Sequence, residues 1–98
     1  MPPALFQGVV AHELGHAWLH INTLTRLSQK DEEGFCELMS FAYYSGLGTD
    51  DSRYRMKCIE ENPDPIYGEG FREVRAIQRR YGFVEFIRLL EGTRRMPR

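Results

Sequence analysis

The sequence predicts an all-α fold of about five helices, and three observations carry that reading. Apolar residues recur at intervals of three and four in five successive segments. Glycine, proline and asparagine punctuate the chain between those segments. No run alternates apolar and polar residues with the period of a half-buried strand.

The first helix is predicted over residues 4–21, after Pro2 and Pro3. At about 100° per residue, Phe6, Val10, Leu14, Ala17, Trp18 and Ile21 share one broad face. Leu5, Val9, His12, Glu13, His16 and His20 fall mainly on the other side. Apolar residues on both sides make this the expected central helix. The second is predicted over 31–46. Its acidic start, Asp31-Glu32-Glu33, suits the positive end of a helix macrodipole. Phe35, Leu38, Met39, Ala42 and Tyr43 recur at helical spacing, and Gly46 and Gly48 end it. The third covers 51–61 and stops at Asn62-Pro63-Asp64-Pro65. The fourth covers 69–81, with Phe71, Val74 and Ile77 as its apolar stripe and Gly82 as its break. The fifth, 83–90, carries Phe86, Ile87, Leu89 and Leu90.

Ninety-eight residues suit a single domain over residues 1–98, with one small core. With 42% hydrophobic and 28% charged residues, extended disorder and a collagen-like chain are excluded. A net charge of −1 argues against a general nucleic-acid binder. Arg94, Arg95 and Arg98 crowd the C-terminus and are expected to form a solvated, fraying end rather than a contact with an acidic partner. No apolar run approaches the ~20 residues of a membrane span, and the N-terminus lacks the cationic region of a signal peptide. A cytoplasmic protein without a membrane partner is therefore expected. Cys36 and Cys58 are too few for a disulfide framework or a cysteine zinc site, and both are expected as reduced, partly buried thiols.

The informative segment is His12-Glu13-Leu14-Gly15-His16. Two histidines at i and i+4 lie one turn apart on one helix face, so their imidazoles can converge on a single tetrahedral zinc ion. Glu13 lies about 100° round the helix from His12. It is poorly placed as a third ligand but well placed to reach a water on the metal and take its proton. This is the H-E-x-x-H arrangement of zinc metallopeptidases. His20 cannot join both histidines, because it stands ~12 Å from His12 along the axis; a rim position is expected. With no later histidine in the chain, an acid is the natural third ligand. Glu32, Glu33 and Glu37 are the candidates. Glu33 and Glu37 share a face, so Glu33 can bind zinc while Glu37 accepts the spare ring N–H of His12 or His16 and fixes its tautomer. Glu32 stands as the rival ligand. The donor that would stabilise charge on a substrate carbonyl oxygen is sought in Tyr67 and Arg72.

His12 and His16 followed by Glu33-Gly34-Phe35 resemble the gluzincin metallopeptidases, in which a Glu-Gly-Phe type segment supplies the glutamate ligand. The wider pattern is His12-Glu13-Leu14-Gly15-His16-Ala17-Trp18-Leu19, then Asp31-Glu32-Glu33-Gly34-Phe35-Cys36-Glu37. Tyr67-Gly68-Glu69-Gly70-Phe71-Arg72 and Tyr81-Gly82 follow. In that order the segments resemble the peptidase domain of the plant growth-regulating LIM-domain peptidases, ubiquitin-activated enzymes that limit organ size. The similarity covers most of residues 9–90. It implies His12, His16 and Glu33 as ligands of one zinc ion, Glu13 as catalytic base and limited proteolysis of peptide or protein substrates. The chain carries no LIM fingers and no ubiquitin-interacting helices, so control by ubiquitin is not expected to transfer. Zincin peptidases also place a sheet before the active helix, with an edge strand that binds substrate backbone. Its lack here predicts a fragment or truncated reading frame that binds zinc and cleaves poorly, or one that needs an upstream domain or partner protein. The rival expectation is a non-catalytic, zinc-stabilised helical binding module.

Overall fold

A computed structural model describes residues 3–98 apart from 25, with side chains described from residue 6 onward. Pro2, expected ahead of the first helix, lies outside the described residues. The described residues form five helices in order: α1 (Pro3–Ile21), α2 (Gln29–Leu47), α3 (Asp50–Glu61), α4 (Tyr67–Tyr81) and α5 (Phe83–Thr93). Among the described residues there is no strand.

Local chemistry explains the boundaries. Proline at the first position of α1 loses only an amide that has no helical partner. Helix α1 ends in a left-handed turn at Thr23, whose φ is 58°. There the Leu24 amide donates to Leu19 O at 2.8 Å and the Thr23 amide to His20 O at 3.1 Å, the paired bonds of a Schellman cap. Leu19 and Leu24 are both buried, which supplies the apolar contact of that motif. Helix α2 starts two residues earlier than its acids suggest, because the Ser28 hydroxyl accepts from the Asp31 amide. It runs through Gly46 and stops at Gly48, in the left-handed region. Thr49 and Ser52 form a capping box on α3. The Asp64 carboxylate accepts from the Ile66 and Tyr67 amides, which starts α4 ahead of the predicted residue 69.

The central helix is α2, contrary to the expectation for α1. Helix α2 contacts α1, α3 and α4, whereas the extensive contacts of α1 are with α2. The broad apolar face of α1 lies largely open: Phe6, Val10, Leu14 and Ile21 are exposed. Its inward face is the narrow stripe of Gly8, His12, Gly15 and Leu19. Glycine makes that approach possible, since a Cβ on Gly15 would press on Cys36 and Met39 of α2. A second close approach joins α2 to α4 at Gly34, whose added Cβ would run into the Gly70 carbonyl.

Phe35, Leu38, Phe41, Phe71, Val74, Ile77, Phe86 and Leu90 form most of the core. Trp18 stacks on Phe35 at 5.5 Å and Phe41 meets Phe71 at 5.0 Å between ring centres. The C-terminal segment does not fray. Met96 is buried, and Arg98 forms a two-pronged pair with buried Asp31 at 2.8 and 2.6 Å. Of the two thiols expected to be partly buried, Cys36 is fully buried and Cys58 is exposed; both are free.

Candidate metal centre

Helix α1 supplies His12 and His16 from its inward face, and the first turns of α2 supply three carboxylates opposite them. The Nε2 atoms of both histidines converge on one oxygen, Glu33 Oε1, at 3.1 Å from His12 and 2.9 Å from His16. The other ring nitrogens are occupied as well. His12 Nδ1 lies 2.9 Å from Glu37 Oε1, and His16 Nδ1 lies 2.7 Å from Glu32 Oε2. A carboxylate that accepts a hydrogen bond from Nδ1–H holds the ring and leaves the Nε2 lone pair for a metal.

Donor atoms of His12, His16, Glu33 and Cys36 all lie within 4.8 Å of one another, so the group could hold a metal ion. Two imidazoles and one carboxylate match the nitrogen and oxygen donors of a metallohydrolase site. Cys36 was not among the sequence candidates. Its signal was present, since it follows Glu33 by three positions and therefore shares its face. Burial first, and then the charges of Glu33, Glu32, Glu13 and Glu37, push its pKa far up. In the metal-free protein it is a protonated thiol rather than a thiolate.

The remaining acids separate by position. Of the two rival ligands, Glu33 faces the Nε2 atoms, whereas Glu32 sits against the far nitrogen of His16. Glu37 holds His12, one of the two rings considered for it. Glu13 is exposed and stands outside the donor cluster. It borders an open cleft of about 520 Å³ with His16, His20 and Glu32. His20 lies at the rim of that cleft, exposed, and is not part of the donor group.

The two sought carbonyl-oxygen donors are placed differently. The Tyr67 hydroxyl donates to Glu33 Oε2 at 3.3 Å, and its ring centre is 6.2 Å from that of His12. The charge of Glu33, then burial and the hydrogen bond, raise its pKa and keep the phenol protonated. Arg72 points elsewhere: its Nη1 donates to the Glu60 and Asn62 carbonyls at 3.0 and 2.8 Å, closing the end of α3.

Surrounding charge also acts on His12. The hydrogen bond that its ring donates to Glu37 is the largest influence and raises its pKa; burial opposes it, and Glu33 adds to the rise. A proton on His12 offsets part of the repulsion among the converging acids, which is why they raise its pKa.

Comparison with known proteins places these residues in context. The DA1-like family, described as Protein DA1, matches residues 1–52, the stretch that contains every donor of the cluster. Protein DA1 of Arabidopsis thaliana is 27% identical over 125 aligned residues, covering 99% of this chain and 24% of that protein. Protein DA1-related 2 of Arabidopsis thaliana is 37% identical over 43 residues, covering 44% of this chain and 8% of that protein. The chain thus spans about a quarter of the length of the first relative and less than a tenth of the second. No solved structure matches it.

Proposed function

The chain belongs to the DA1-like family, and from that membership and its donor cluster we propose that it forms the zinc centre of a peptidase acting on peptide or protein substrates. The observation that carries this reading is the convergence of two histidine Nε2 atoms on Glu33, with each Nδ1 taken by a separate carboxylate. His12, His16 and Glu33 would hold the ion, with a fourth position for water. Zinc in such a site supplies Lewis acidity, which acidifies water and polarises a carbonyl.

The chain's own groups do the rest. Glu13 takes the proton of the attacking water and delivers it to the leaving amine, which its place on the open cleft beside His16 allows. Tyr67, held protonated, donates a hydrogen bond to the substrate carbonyl oxygen. Glu32 and Glu37 keep the imidazoles aimed.

Zinc content and cleavage of a protein substrate, measured on the wild type, Glu13→Gln and Glu33→Gln, test the proposal. Glu13→Gln should keep its zinc and lose ~10²–10⁴-fold in rate. Glu33→Gln should lose zinc. Undiminished cleavage by Glu13→Gln refutes the mechanism. Full zinc occupancy with no cleavage by the wild type would favour the zinc-stabilised binding module.

A further inference from the structure

At the end of α1 the chain turns at Thr23 and reaches α2 through a segment that carries Arg26. At the end of α5 it turns at Arg94, also in the left-handed region, and runs into the C-terminal tail. The two segments face each other across a cleft of about 770 Å³. Four of its lining residues are arginines: Arg26, Arg94, Arg95 and Arg98.

Among the described residues, one of the four side chains has a partner. Arg98 is committed to Asp31. The side chains of Arg26, Arg94 and Arg95 make no ion pair or hydrogen bond among the described residues, and all three are exposed. Most other cations of the molecule are engaged: Lys30 with Glu69 and Glu73, Arg53 with Asp50, Arg55 with Asp51, Arg75 with Glu60 and Arg88 with Glu85. A chain of net charge −1 thus gathers three uncompensated guanidinium groups around one concavity. They repel one another until an anion joins them.

We propose that this cleft binds an acidic, glutamate- or aspartate-rich segment of a protein partner. The shape of the charge selects that ligand over a compact dianion. Asp31 lines the cleft and takes up Arg98, which is therefore not free to join the other arginines around a compact dianion. Carboxylates spaced along an extended peptide instead reach Arg26 on one side and Arg94 and Arg95 on the other, each guanidinium able to donate a bidentate pair to a carboxylate. Leu27 and buried Met96 give the cleft an apolar surface for the peptide's stems.

The test is fluorescence anisotropy of a labelled glutamate-rich peptide titrated with the 98-residue chain at low ionic strength. Single-stranded oligonucleotide and inorganic phosphate serve as competitors. Arg94→Glu/Arg95→Glu should weaken binding about tenfold or more. Arg79→Glu/Arg80→Glu, which changes net charge equally on exposed α4 positions, should leave it within about twofold. Melting curves and zinc content of both variants should match the wild type, which separates this site from the metal centre. Equal loss in both variants, or no binding of the peptide, overturns the proposal. So does displacement of the peptide by phosphate at equal charge, or preferential binding of the oligonucleotide.

Discussion

His12 carries the sharpest consequence at the scale of a single residue. Its pKa in the folded, metal-free protein is raised above the ordinary 6.5, chiefly by its hydrogen bond with Glu37. A raised folded pKa contributes stability that is fully present below 6.5 and is lost as pH rises through the folded value. EDTA-treated protein should therefore melt at a lower temperature at about pH 8 than at about pH 6, and His12→Asn should flatten that slope. Zinc reverses the trend, because metal and proton compete for the same ring nitrogen. Equal slopes with and without metal would contradict this. Glu37→Gln keeps the shape but weakens the acceptor that aims His12. It should lower zinc affinity by ~10–100-fold, read by competition with a chromophoric chelator. Much of this site is legible in the sequence. The four-residue spacing of the histidines and the shared face of Glu33 and Glu37 follow from helix periodicity. The split between Glu32 and Glu33 does not. Adjacent residues lie ~100° apart, and only the rotation of α2 against α1 decides which one meets the Nε2 atoms.

Helices show a similar division between what periodicity fixes and what packing fixes. All five are predicted by spacing and punctuation, and the ends move by up to three residues where a cap acts at a distance, as Ser28 does for α2. The role of α1 is not readable, because its inward stripe of Gly8, His12, Gly15 and Leu19 is less apolar than the face left open. Close approach, not hydrophobicity, selects that stripe. Two substitutions probe such element-level constraints. Gly34→Ala drives a methyl group into the Gly70 carbonyl, which is backbone and cannot swing aside. It should destabilise the α2–α4 contact by ~1–3 kcal/mol in denaturant unfolding. Thr23→Gly relieves a β-branched residue held at φ 58°, where it closes the Schellman cap. It should stabilise the protein by about 1 kcal/mol, and a neutral or unfavourable change would mean that the cap is not formed in solution.

The whole molecule is anchored unevenly. Helices α2, α4 and α5 share the aromatic core, and the tail ties back to α2 through Arg98 and Asp31, 67 residues apart in sequence. No local pattern reveals a contact of that span. Helix α1, by contrast, is held mainly along one narrow stripe against α2, with its apolar side exposed. A metal held by His12 and His16 from α1 and Glu33 from α2 would cross-link those two helices. By linkage, zinc at 100 times its dissociation constant adds about 2.7 kcal/mol. For a chain of this size that is roughly 10–20 °C in melting temperature, lost on treatment with EDTA and absent in His12→Ala/His16→Ala. The distribution of that effect separates a cross-link from general ligand stabilisation. Amides of α1 should open locally without metal and exchange well before those of α4, because α1 makes its extensive contacts with α2, whereas α4 packs against α2, α3 and α5. Zinc should slow exchange in α1 most, bringing it toward the rate set by global unfolding. Hydrogen exchange read helix by helix, with and without zinc, decides the matter. Uniform slowing in α1 and α4 would show that α1 is already as firmly docked as the core, and that the metal acts on the fold as a single unit.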